Sequence, residues 1–254
     1  MIEFNEISWM KWYCNDEPVG KAYVGDNQVY PDFKDSSITL PENFVFNFNA
    51  RDYNPATRTI PAENGALETN AFILGADPVA VSADSLTIDS NNNHSMVAVI
   101  SSGKTQYYSI DGTNNRAATW IFKYSRSGGS SNVHFLSNRD MQYNWMVRTY
   151  DDMIKLHDSS ERNQCPVSTY PCTAVIRIAD DGTTTIQNLT DATACTPYTF
   201  NYGRSNATPA FFEGYSNPSY WSEWFTGRFY WAFFINRCLT DDEVQQVIYY
   251  NENI

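Results

Sequence analysis

The chain has 254 residues, of which 15% are aromatic and only 18% charged, with 29 acidic against 17 basic side chains and a formal charge of −12. That balance leaves little to neutralise phosphates, so neither nucleic acid nor an anionic membrane surface is an expected partner. Sparse charge argues against a helical bundle or coiled coil, and no stretch approaches the roughly 20 apolar residues of a transmembrane helix.

In chain order, the opening MIEFNEISWMKW shows no basic region ahead of an apolar one, so no secretory signal is read there. KAYVGDNQVYP reads as a hairpin: strands at 21–24 and 28–30, a turn at Gly25-Asp26-Asn27, and a stop at Pro31. Residues 1–35 carry Trp9, Trp12, Tyr23, Val29 and Tyr30, a heavy apolar load for a lone hairpin. They are read as a docking segment that needs a partner surface, and residues 36–254 as the main domain.

From about residue 43 short strand-like runs recur with turn signals between them: FVFNFNA, FILG, HSMVAVISS, TQYYSI, ATWIFKYS, NVHFLS, WMVRTY, MIKLHD, AVIRIA, TTTIQNL, PYTFNYG and RFYWAFFI. This spacing predicts an all-β sandwich or barrel. AVIRIADDGTTTIQNL is the clearest hairpin, turning at Asp180-Asp181-Gly182. Between Arg228 and Ile235 both alternating sets are apolar, Phe229/Trp231/Phe233/Ile235 and Tyr230/Ala232/Phe234, so both faces of that strand should be covered. A helix then starts. Thr240 and Glu243 form a capping box, Leu239 and Val244 a hydrophobic staple, and Val244, Val247 and Ile248 one apolar stripe.

Catalysis finds little support. No Glu is followed two residues later by Asp, the spacing that sets paired carboxylates on one strand face for glycoside hydrolysis, and no nucleophile elbow, zinc-protease motif or phosphate loop occurs. His94, His134 and His157 are distant in sequence and read as surface or strand residues, so no enzyme is expected. Calcium would need six to eight oxygens. Asp89, Asn91, Asn92 and Asn93 are oxygen-rich but fit a plain turn equally well, and the hairpin accounts for Asp180 and Asp181, so neither metal nor cofactor is expected.

The cysteines are Cys14, Cys165, Cys172, Cys195 and Cys238, with no CxxC pair. Cys165 and Cys172 flank a short loop and would bridge only if oxidised; without a signal segment, reduced thiols are expected. In FFEGYSNPSYWSEWF, Tyr215, Tyr220, Trp221 and Trp224 sit among loop formers and are candidates to stack on sugars or anchor a partner. Phe211 and Phe225 read instead as loop residues packed on the core.

NFNARDYNPATRTIP, HSMVAVIS, TWIFKYS, AVIRIADDGTTTIQN and FNYGRS, with Gly227, Phe229, Asn236, Arg237, Leu239, Thr240, Glu243 and Val244, resemble a laminin-G-like, concanavalin-A-like jelly roll. The resemblance covers roughly residues 43–254, is most specific at the end, and implies a two-sheet antiparallel sandwich closed by a short helix. The Y-x-G-x-x-x-V-Y-P pattern in KAYVGDNQVYP resembles N-terminal pieces of tailed-phage structural proteins, the crAss-like group among them. It implies a virion surface protein, capsid- or tail-associated and homo-oligomeric, serving host-surface glycan adhesion or particle assembly, with other virion proteins and a host-surface glycan as partners. A free carbohydrate-binding module is the alternative, and a glycan-active enzyme a further one.

Overall fold

The computed structural model describes residues 13–14, 17–18, 23–24, 27–28, 38–61, 63, 71–74, 77–89, 96–99, 117–129, 132–138, 146–150, 153–157, 161–199, 209–211 and 225–253. Near the start, β1 (Tyr13–Cys14) pairs with β2 (Glu17–Pro18), and β3 (Tyr23–Val24) with β4 (Asn27–Gln28). The expected hairpin is there, one residue tighter than read: Val24 lies opposite Asn27, which belongs to the strand rather than the turn.

The rest is a two-sheet antiparallel sandwich of jelly-roll type. Among the described residues one sheet has nine strands. They are β5 (Phe46–Asn49), β8 (Ala80–Val81), β9 (Leu86–Asp89), β11 (Ala118–Gly129), β16 (Cys172–Ile178), β17 (Thr183–Asn188), β18 (Thr193–Ala194), β19 (Tyr198–Thr199) and β21 (Phe225–Ile235). The main order is β18-β17-β16-β11-β21-β9-β8, with β19 beside β17 and β5 beside β21. The eight-stranded sheet uses β6 (Thr59–Ile60), β7 (Ala71–Leu74), β10 (Met96–Val99), β12 (Asn132–Asn138), β13 (Met146–Tyr150), β14 (Met153–His157), β15 (Glu161–Pro166) and β20 (Pro209–Phe211). Its order is β15-β14-β13-β12-β20-β10-β7-β6.

Alternation builds the core between the sheets. Ala118, Trp120, Phe122 and Tyr124 of β11, Ala174, Ile176 and Ile178 of β16, and Phe46 and Phe48 of β5 all point inward and are buried. Their rings interlock: Trp120 stacks on Phe234 at 4.1 Å, and Phe46 meets Trp120 edge-on at 5.7 Å. The intervening residues Ile121 and Val175 belong to a second cluster on the opposite face, with Phe44, Leu239, Val244 and Val247. There the helix α1 (Asp241–Asn253) lies against the nine-stranded sheet.

The two-faced reading of β21 holds, but two residues, Phe229 and Tyr230, change sides. Lys123 pairs with Trp231 and Tyr124 with Phe229, so Tyr230 is an extra residue, a β-bulge. The bulge shifts the phase of the pleat. Phe229 joins Ala232 and Phe234 between the sheets, while Tyr230 and Trp231 both face the helix.

The helix start is as read from the sequence. The Thr240 amide donates to Glu243 Oε2 at 2.9 Å and the Glu243 amide to Thr240 Oγ1 at 3.3 Å. Val244 and Val247 are buried and Ile248 packs beside them. Glu243 also accepts from Arg237 at 2.6 Å, and that guanidinium, helped by the Thr240 amide, holds its carboxyl down at about 2. Removing either cap side chain should cost about 1 kcal/mol, and the two losses should couple because each caps the other. Linkage adds a pH signature. The folded value lies below the ordinary 4.5, so the stabilisation is complete above that pH and is lost as pH falls toward 2. Melting curves of the parent and Glu243→Gln should therefore differ at neutral pH and converge in acid; a constant gap would refute the ion-paired cap.

The side edges are tied between the sheets. Asn188 Nδ2 and Thr193 Oγ1 both donate to the Pro166 carbonyl at 3.0 Å, joining β17 and β18 to β15. At the other edge Arg58, beside β6, pairs with Asp77, ahead of β8, at 2.8 Å. Cys165, Cys172 and Cys195 are buried thiols and Cys238 is an exposed one, so Cys165 and Cys172 are not bridged. Burial pushes the Cys172 thiol up to about 12, which keeps it protonated and inert.

Strands with few apolar residues escaped the sequence reading. β15, ERNQCP, has none of the expected alternation, yet it forms the edge beside β14. Phe211, expected in a loop, lies on β20 opposite Val97 and Leu136, and Phe225 opens β21 opposite Gly129. Of PYTFNYG only Tyr198–Thr199 is a described strand, and TQYYSI lies outside the described residues.

Candidate functional site

Among the described residues, one polar assembly joins the helix to β5 and another ties two loops, and each is accounted for by its own bonds. Asn47 and Asn49 alternate with Phe46 and Phe48 on β5, so they sit on the helix side of the sheet. Asn251 meets them from α1: its Nδ2 donates to Asn47 Oδ1 at 3.0 Å, and its Oδ1 accepts from Asn47 Nδ2 at 3.1 Å. Asn47 Nδ2 also donates to Glu63 at 2.6 Å, and Tyr250 donates its hydroxyl to the other Glu63 oxygen. Burial, then the Glu63 bond, pushes the Tyr250 phenol up to about 12. Nearby, burial raises the Asp52 carboxyl above its ordinary value.

The second assembly ties two loops at one end of the sandwich. Asp191 Oδ2 accepts from the Ser168 amide at 2.6 Å, the Thr169 amide at 3.2 Å and Asn188 Nδ2 at 2.8 Å. Those donors, the Ser168 amide first, hold its carboxyl down at about 2. With its oxygen engaged by protein donors, Asp191 closes a loop and is not placed for general acid–base work.

Different chemistry gathers on the eight-stranded sheet. Ile154 and Cys165 are register partners and both are buried in the inter-sheet core. At the far side Ile60 and Ala71 are likewise partners and buried there. The neighbouring register row sets His134 opposite Arg148, Arg148 opposite Lys155 and Lys155 opposite Gln164. Gln164 is exposed. Flanking rows place Ser137, Met146, His157 and Glu161 on one side and Asn132, Tyr150, Met153 and Pro166 on the other. At a strand spacing of about 4.8 Å the central row spans about 14 Å.

His134 and His157, distant in sequence, lie on strands separated by β13, in register rows two residues apart. The sequence reading missed this register row, though a signal existed. MVRTYDDMIKLH holds two alternating runs about a two-residue turn, which by itself sets Arg148 opposite Lys155.

The residues singled out from the sequence fare differently. Tyr215, Tyr220, Trp221 and Trp224 lie outside the described residues, as do Trp9, Trp12, Val29 and Tyr30; Tyr23 lies on β3 opposite Gln28. Asp89 lies on β9 and accepts from Thr226 Oγ1 at 3.3 Å, while Asn91, Asn92 and Asn93 are outside the described residues. Asp181 accepts from the Thr183 amide at 2.8 Å in its hairpin. Among the described residues no group of three or more His, Cys, Asp or Glu could hold a metal ion.

No family model and no curated protein matches the sequence. Solved structures do. A botulinum neurotoxin serotype D/C binding domain superposes with TM-score 0.58 at 11% identity, covering 84% of this chain and 52% of its own. A structure from work on botulinum neurotoxin type C, whose cell entry depends on interaction with two ganglioside molecules, gives the same TM-score of 0.58. Trypanosoma rangeli sialidase in complex with sialic acid superposes with TM-score 0.56 at 9% identity, covering 82% of this chain and 33% of that one. At such identities the likeness is one of fold. This chain spans about half the length of the toxin domains and a third of the sialidase.

Proposed function

We infer that the sandwich is a non-enzymatic binding module, displayed on a phage virion and taking a glycan of the host surface. One observation carries the binding part. α1 lies on the outer face of the nine-stranded sheet, and the register of the eight-stranded sheet lines up His134, Arg148, Lys155 and Gln164 across four strands, with Tyr150 two residues along β13. That mixture suits sugar hydroxyls and ring faces. The fold neighbours include a toxin whose cell entry depends on gangliosides and a sialidase holding sialic acid, which is consistent with sugar recognition on this architecture.

The virion part rests on the paired β3–β4 hairpin and its Y-x-G-x-x-x-V-Y-P pattern ahead of the sandwich. In this reading residues 1–35 dock on other virion subunits and the particle carries several copies. Mass spectrometry of purified particles from the source phage tests it: the chain should appear there at structural-protein abundance. Recovery only as a free soluble protein that still binds sugar would favour a stand-alone carbohydrate-binding module. The inter-sheet ties at both side edges fit that second reading too.

A further inference from the structure

We propose that the sandwich is held on the virion with α1 against the subunit that receives residues 1–35, so that the eight-stranded sheet is turned outward. The inference deepens the virion reading and rests on it.

The chain does not reach the sandwich as a free tether. The Thr39 carbonyl accepts from the Gln246 side chain of α1, Leu40 packs against the apolar cluster that α1 shares with the sheet, and Pro41 is buried. Phe44 then meets Phe233 at 5.7 Å, and the Val45 amide donates to the Phe234 carbonyl at 2.8 Å, which leads into the pairing of β5 with β21. These contacts fix the point of entry on the helix side of the nine-stranded sheet.

Chain length turns the entry point into an orientation. Residues 36–39 are all that separates the docking segment from the Thr39 contact. Extended backbone spans at most about 3.6 Å per residue, so that stretch reaches about 14 Å. Helix, nine-stranded sheet and eight-stranded sheet are stacked layers about 10 Å apart, which sets the far sheet about 20 Å from the helix. A surface that holds residue 35 is therefore within reach of α1, and the eight-stranded sheet lies beyond it. The outer side of α1 suits such a neighbour. Asp241, Asp242, Gln245 and Asn253 are exposed there, so the partner presents a polar, basic surface rather than an apolar groove.

The test labels full-length chains with a maleimide, free and in purified particles, and reads each site by peptide mass spectrometry. Gln245→Cys marks α1 and Gln164→Cys marks β15 of the eight-stranded sheet; both positions are exposed, so both variants should melt like the parent. In the free protein the two sites should label at similar rates. On particles Gln245→Cys should slow about tenfold or more, as at a covered interface, while Gln164→Cys labels as before. Residue 245 labelling as fast on particles as in solution would overturn the orientation, and so would equal protection of both sites; either result leaves the virion reading standing. If the chain is absent from particles, the virion reading and the orientation fall together. Should a cysteine variant misfold, deuterium uptake by the parent decides: particles should slow residues 241–253 and leave residues 161–166 unchanged, and the reverse refutes the proposal.

Discussion

Replacing Phe234 with alanine is expected to destabilise the sandwich by about 3–5 kcal/mol, the range for truncating a large buried aromatic. Phe234 is 1% exposed, stacks on Trp120 at 4.1 Å and lies 5.8 Å from Phe46. Strands β5, β11 and β21 each supply one ring, so the cavity opens where three strands of one sheet meet the core. Its walls cannot collapse without moving the strand ladders, which keeps the cost near the top of the range. Against a net stability of about 5–15 kcal/mol for a natural domain, that loss is a large share. Urea unfolding should show it as a lower midpoint with an unchanged slope. Val81→Ala is the control: it is 54% exposed on edge strand β8 and should change stability by about 0.5 kcal/mol or less. Equal effects from the two substitutions would mean that the aromatic cluster does not organise the inter-sheet core.

What was legible in the sequence, and what was not, divides by the distance over which the physics acts. The Thr240–Glu243 capping box spans one helical turn, so residue types alone sufficed. The Gly182 turn was legible for the same reason: its φ of 83° is what glycine permits between two alternating runs. The side on which Phe229 packs was not. Alternation counted back from Ile235 puts it toward the helix, and only the pairing of β21 with β11 reveals the bulge at Tyr230. The register row of Arg148 and Lys155 is an intermediate case. Its hairpin is local and readable, but its continuation to Gln164 depends on the pairing of β14 with β15, a strand with no alternation to read.

The least legible contact is also the site of the second large effect. Asn47 and Asn251 are separated by 204 residues, and nothing in either segment marks them as partners. Asn251 is 4% exposed and Asn47 1%, so their amides answer each other without access to bulk water. Asn251→Leu keeps similar volume but removes the donor to Asn47 Oδ1, along with the acceptor shared by Asn47 Nδ2 and Asn49 Nδ2. Asn47 Nδ2 keeps Glu63, and Asn49 keeps the residue 251 carbonyl, which any side chain leaves in place. The orphaned group is therefore the Asn47 carbonyl oxygen. Leaving a buried acceptor unmet costs about 1–3 kcal/mol, and the lost bond to the Val247 carbonyl acts in the same direction. Replacing both partners removes the mismatch, so Asn47→Leu/Asn251→Leu should cost clearly less than the two single losses added together. Unfolding free energies for the four proteins of this cycle decide the matter. Strict additivity would show that the two amides do not hold the helix to β5, and that the apolar cluster of Val244, Val247 and Leu239 docks it alone.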